Sequence, residues 1–133
     1  MKYMLDTNIC IYLIKQRPRE VIEKFQGTPL GEIVISTVTM AEMMYGVEKS
    51  QHKEKNRSAL ELFLAPLEIM VFDVKAAQNY GVIRAFLETK GTPIGAYDLM
   101  IAAHALSLGF ILVTNNEREY TRIPGLLIEN WVK

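Results

Sequence analysis

Short apolar, β-branched runs recur along this chain, and a longer stretch with helical spacing of apolar residues follows most of them. No other feature constrains the fold as much. "YML" (3–5), "EIVIS" (32–36), "EIMVF" (68–72), "FILV" (110–113) and "LLI" (126–128) read as strands. Helices are predicted over 7–16, from Pro18 to Gln26, over 37–48, up to about Leu64, from Asp73 as cap to about Lys90, and over 97–108. "GTPLG" and "GTPIG" break the chain between them, and Gly109 stops the last helix. The polar "KSQHKEKNR" reads as a solvated connection or a helix start.

Strands alternating with helices imply an α/β fold whose five-stranded sheet is mostly parallel and covered by helices on both faces. The last strand is expected at an edge. In such sheets ligands sit at the carboxyl ends of the strands. Asp6 directly follows the first strand, Ser36 and Thr37 the second, and Thr114, Asn115 and Asn116 the fourth. These polar residues should share one rim.

With 133 residues and no linker, repeat or low-complexity tract, the chain is expected to form one domain over 1–133. Half of the residues are apolar, enough for a sizeable core. Lys+Arg and Asp+Glu balance at 15 each, which argues against a generally basic surface and leaves a local basic patch open. One cysteine, Cys10, cannot form an internal disulfide and suits a reducing cytoplasm. The apolar run 9–14 falls far short of the ~20 residues of a membrane span. Asp6 and Asn8 spoil a signal-peptide reading.

Three acids stand in apolar company. Asp6 lies between "YML" and a helix, where capping is its simplest use. Glu42 sits in "TVTMAEMMYGVE", with Val38, Thr39, Tyr45 and Gly46 as nearest neighbours on its helical face. Asp98 opens "YDLMIAAHALSLG", where it suits the first turn of a helix. His104 in that helix has no second His or Cys at ligand spacing, and His52 lies in the charged connection, so zinc is disfavoured. Together, however, the three acids should face the same rim. Clustered carboxylates repel by several kcal/mol per close pair at an effective dielectric of about 20, and they persist if a cation neutralises them. Oxygen-only ligands favour Mg²⁺ or Mn²⁺. Such a site can activate water and steady a phosphoryl oxyanion.

"MLDTNICIYLI", "ISTVTMAEMMYGVEKS", "PIGAYDLMIAAHALSLG" and "LVTNNEREYTRI", in this order and at these separations, resemble PIN-domain ribonucleases over nearly the whole chain. More narrowly they resemble the VapC toxins of bacterial VapBC toxin–antitoxin pairs, in the enteric branch. The resemblance implies a PIN-like five-stranded parallel sheet, a divalent-metal site, a homodimer, and a VapB-type antitoxin whose tail enters the active-site groove. It implies that Asp6, Glu42 and Asp98 bind the metal, with Thr7, Asn8, Thr39 and Thr114 supporting them. The family often has a fourth acid after the fourth strand; here Asn116 stands in that place, and Glu119 follows three residues on. A carbonyl from Asn116 or a charge from Glu119 are the two ways to fill that corner.

The expected function is Mg²⁺-dependent endonucleolytic cleavage of RNA, and the resemblance points to initiator tRNA cut in its anticodon loop. Lys15, Arg17, Arg19, Arg118 and Arg122 are candidates for backbone contacts, although plain surface charge is the simpler reading of each. Two rivals remain. One is an aspartyl-phosphate phosphatase with Asp6 as nucleophile; Asn8 stands where that chemistry wants a second Asp. The other is a non-catalytic protein that keeps the fold to bind antitoxin or operator; retention of all three acids speaks against it.

Overall fold

The structure, a computed structural model, describes residues 1–132. Its strands are β1 (Tyr3–Leu5), β2 (Ile33–Ser36), β3 (Glu68–Met70), β4 (Ile111–Val113) and β5 (Leu127–Glu129). Its helices are α1 (Thr7–Lys15), α2 (Arg19–Gln26), α3 (Thr37–Glu48), α4 (Lys53–Leu64), α5 (Val74–Thr89), α6 (Ala96–Leu108) and the short α7 (Glu117–Tyr120). The strands form a single sheet in the order β3-β2-β1-β4-β5, and every pairing is parallel. The α/β expectation holds, down to β5 at the edge.

Side chains alternate across the sheet, and this divides the interior into two cores. Met4, Val34 and Leu112 face one side, where they pack with Ile83, Leu87, Leu99 and Ile101 of α5 and α6. Leu5, Ile33, Ile35 and Val113 face the other, against Ile9 and Leu13 of α1, Met43 and Val47 of α3, and Leu60 of α4. Strands buried on both faces need continuous apolar runs, which is why "IVI" and "ILV" show no polar alternation.

The element ends follow their residues. Asp73 caps α5, its carboxylate accepting from the Ala76 N–H at 3.0 Å. Ser36 caps α3 through the Val38 N–H. α6 ends at Gly109, whose φ of 70° is left-handed and favours glycine. Three expectations need adjustment. "GTPLG" runs into a 3-10 turn at Leu30–Glu32, which also takes the first residue of the expected strand "EIVIS". "EIMVF" pairs only through Met70, because the Phe72 N–H turns to the Thr37 hydroxyl at 3.1 Å. α7 was not anticipated.

β1 lies at the centre, with β2 on one side and β4 on the other. The chain direction of the strand order reverses at β1, and this opens a crevice beyond its carboxyl end, where ligands of doubly wound sheets sit.

Candidate active site

Asp6 stands at that crevice. Its backbone N–H extends the sheet by bonding to the Val113 carbonyl at 3.0 Å. Its Oδ1 accepts from the Ile9 N–H at 2.9 Å and so caps α1. The Thr114 hydroxyl, from the end of β4, bonds the same carboxylate. Thr114 in turn accepts from the Asn116 N–H at 2.9 Å, which sets the turn into α7. Asp6 is thus both a cap and a rim acid; the two uses are compatible because one carboxylate has several lone pairs.

Asp6 is 4% exposed. Burial raises its pKa from 3.8 to about 6 against the hydrogen bonds from Thr114 and Ile9, and the charges of Asp98 and Glu42 add to the rise. Among the described residues no ion pair includes Asp6, Glu42 or Asp98. The three acids therefore feel one another without a basic partner.

Glu42 is held from α1. The Thr7 hydroxyl donates to Glu42 Oε1 at 2.7 Å. Thr7 Oγ1 also lies 3.3 Å from Thr39 Oγ1. Thr7 has one hydroxyl proton and Glu42 takes it, so Thr39 is the donor in the second contact. Glu42 is half-buried on α3, one wall of a cleft of about 820 Å³ that Thr7, Asn8, Tyr45, Tyr97 and Met100 also line. Asn8 is exposed on that cleft.

Asp98 lies in the first turn of α6, half-buried, and its pKa is raised by burial and then by Glu42 and Glu119. Glu119 reaches this field because α7 turns its loop back toward α6. The Asn116 side chain is half-buried and makes no cap to α7. The Arg122 guanidinium donates to the Pro93 carbonyl at 3.2 Å, tying the loop before α6 to the segment after α7. Arg19 pairs with Glu23, whereas Lys15 and Arg17 line a groove beside α1.

Sequence reasoning missed Tyr120. It is buried, and its hydroxyl lies 3.3 Å from the Asp98 carbonyl and also bonds the Asp98 side chain. Burial, then Asp98, Asp6 and Glu119, push its phenol far above the usual range, so it remains a donor. Its helix is a single turn, Glu117–Tyr120, too short for a periodic signal that could have found it. Cys10 is buried beneath Asp6, and burial and then the Asp6 charge push its thiol up, so it serves packing.

Among the described residues no three His, Cys, Asp or Glu side chains converge closely enough to hold one ion by themselves. The acids instead ring the crevice. That spacing suits a small hard cation that takes one or two carboxylates directly and keeps several waters. A buried, unpaired carboxylate in an all-oxygen surrounding fits Mg²⁺ or Mn²⁺ and does not fit zinc.

Comparison with known proteins agrees with the fold. The PIN-domain family profile matches residues 3–126. The chain is 48% identical over 131 residues to the tRNA(fMet)-specific endonuclease VapC of Salmonella typhimurium, covering 98% of each chain. It is 48% identical over 132 residues to the ribonuclease VapC2 of Haemophilus influenzae, covering 99% of each. Its fold superposes on the crystal structure of DNA-bound VapBC from Salmonella typhimurium with a TM-score of 0.93, over 98% of each chain.

Proposed function

The chain belongs to the PIN-domain family and, within it, to the VapC ribonucleases, and from that membership we propose that it is the toxin of a type II toxin–antitoxin pair: a metal-dependent endoribonuclease that cuts initiator tRNA in the anticodon loop and so stops translation. The observation that carries the reading is Asp6, a buried carboxylate at the switch point of the sheet, raised in pKa by burial and two neighbouring acids, with no basic partner among the described residues.

Mg²⁺ is the proposed cofactor, with Mn²⁺ as substitute; when bound it supplies positive charge that activates water and neutralises the leaving oxygen. The chain's own residues do the rest. Asp6, Glu42 and Asp98 would hold the cation, one or two of them directly and the rest through its waters. Thr114 and the Ile9 N–H fix Asp6, Thr7 fixes Glu42, and Tyr120 braces Asp98. Asn116 and Glu119 complete the fourth corner, Asn116 by its carbonyl and Glu119 by its charge. The N-termini of α1 and α3 open at the same rim, where their dipoles favour a phosphate.

An anticodon loop suits such a site, because sequence-specific RNA recognition favours single-stranded loops whose bases can splay out. A formally neutral chain must select by groove shape more than by bulk charge. The antitoxin partner is proposed to be of VapB type. A groove of about 300 Å³ between α1, α3 and α4, lined by Ile11, Ile14, Met43 and Leu60 and ending at Thr7 and Glu42, can take an apolar tail of it. Exposed Val74, Val82 and Phe86 of α5 favour a homodimer. No described helix is long and apolar enough to cross a membrane; the cytoplasm, where tRNA is found, is the proposed compartment.

The test incubates wild type and Asp6→Asn with initiator tRNA, elongator methionine tRNA and an unstructured RNA of equal length, with and without Mg²⁺. A single Mg²⁺-dependent cut in the initiator anticodon loop, leaving a 5′ phosphate and absent with the variant, is expected. Equal cutting of all three RNAs would refute the specificity; no Mg²⁺-dependent cutting of any would refute the nuclease reading.

A further inference from the structure

Away from the acids, one buried titratable side chain has no part in the mechanism above. His104 of α6 is 1% exposed and Ser36, at the end of β2, is 0% exposed. His104 Nδ1 lies 2.9 Å from Ser36 Oγ. Ser36 Oγ accepts from the Val38 N–H at 3.1 Å. His104 also bonds the Val71 backbone, and the Phe72 ring meets its imidazole edge-on at 5.5 Å.

These contacts determine where the protons are. A backbone carbonyl only accepts, so the nitrogen facing Val71 carries hydrogen. Nδ1 faces Ser36, so that nitrogen is Nε2. Burial holds the ring neutral, although the Asp73 carboxylate, the charged group that acts on it, opposes this. A neutral ring with Nε2–H has a bare Nδ1, and the Ser36 hydroxyl must donate to it.

We infer that His104 is a positioning residue: a directed relay from the Val38 N–H through the Ser36 hydroxyl and the His104 ring to the Val71 carbonyl locks the start of α3 to α6 and to the exit of β3, and thereby sets Glu42 against Asp98. A relay with every member paired permits one arrangement of its elements, whereas an apolar pair of the same bulk permits several. Thr37 adds a parallel tie to the same exit through the Phe72 N–H. The role in metal binding rests on the function proposed above; the relay itself does not.

Two readouts separate them. Nitrogen-15 histidine spectra of the metal-free protein should show His104 as the neutral Nε2–H tautomer, and Ser36→Ala should mix the tautomers. Calorimetric Mg²⁺ titration without RNA should give a dissociation constant raised about tenfold in Ser36→Ala and in His104→Leu, the low end for groups that support metal ligands. The double variant should be no worse than either single one, and Ser36→Thr, which keeps the hydroxyl, should restore affinity. Ser36→Ala leaves the ring's volume in place and decides the matter if His104→Leu does not fold. An Nδ1–H tautomer in wild type overturns the relay. Wild-type Mg²⁺ affinity in folded Ser36→Ala overturns the positioning role. Absence of Mg²⁺ binding by wild type overturns the metal reading and the positioning role with it, while the tautomer still decides the relay.

Discussion

Asp6 serves two masters, and a single substitution pulls them apart. Asp6→Asn keeps an oxygen for the Ile9 N–H, so the α1 cap survives. It removes the charge that burial and two neighbouring acids disfavour. The metal-free variant should therefore be more stable than wild type, yet inactive in cleavage. The pH dependence has a definite sign. The unfolded carboxyl titrates near 3.8 and the folded one near about 6. Between these values the folded state keeps a proton that the unfolded chain has lost, so stability from this group is full at low pH and is lost as pH rises through the window. A shift of about 2 pH units is worth about 3 kcal/mol. Chemical denaturation without metal should show the advantage of Asp6→Asn growing from little below pH 3.8 to its full size above about 6. An advantage that shrinks with rising pH contradicts the assignment.

Glu119 is the second residue whose role the structure sharpens. Its charge adds to the rise in the Asp98 pKa, after burial and Glu42, as a member of the proposed acid ring would do. Glu119→Gln should raise the Mg²⁺ concentration needed for half-maximal cleavage. Asn116→Ala should do so less, because the Asn116 backbone, bonded to Thr114, shapes the turn whatever its side chain. If Asn116→Ala alone has the effect, its carbonyl fills the fourth corner.

At the scale of elements, boundaries were legible wherever a residue has one conformational use. Asp73 and Ser36 start α5 and α3, and Gly109 ends α6, as their side chains, or lack of one, require. The limits of α3 and α4 at Glu48 and Leu64 match the sequence pattern because the apolar spacing stops there. What was not legible depended on long-range pairing. The shortness of β3 follows from Thr37 capturing the Phe72 N–H, a contact between residues far apart in sequence. α7 has one turn, too short for a periodic signal, and exists because Tyr120 and Ile123 are drawn into the core. The site shows the same division. Asp6, Glu42 and Asp98 were legible as acids in apolar company, but the Thr7–Glu42 and Tyr120–Asp98 contacts needed the fold. Gly109→Ala tests the element scale cleanly. No heavy atom lies within 4 Å of the added Cβ, and φ is +70°, so only backbone strain is introduced. The expected cost is about 1–2 kcal/mol by urea denaturation, with Mg²⁺ affinity unchanged because the strain lies at the far end of α6 from Asp98.

For the molecule as a whole, the site is where two cores and three helix starts meet, and its carboxylates make the metal-free fold carry unpaired charge. Cation binding and folding are therefore coupled. A ligand bound only by the folded state stabilises it by mass action, by about 2.7 kcal/mol at one hundred times its dissociation constant. The single tryptophan supplies the probe. Trp131 is 1% exposed, stacked at a tilt on Tyr3 with ring centroids 5.9 Å apart, and its indole N–H donates to Glu129 at 2.8 Å. It packs in the core that holds Leu5, Ile9 and Val113 and so reports the unfolding of the sheet. Thermal melts followed by its fluorescence should show Mg²⁺ raising the wild-type midpoint and raising that of Asp6→Asn much less, although the variant starts higher. The gain in wild type should also fade as pH falls below about 6, since the cation must then displace the proton Asp6 holds. Equal Mg²⁺ stabilisation of both proteins at neutral pH would place the cation elsewhere. A gain that persists undiminished on acidification would mean that Asp6 does not have to ionise for the cation to bind.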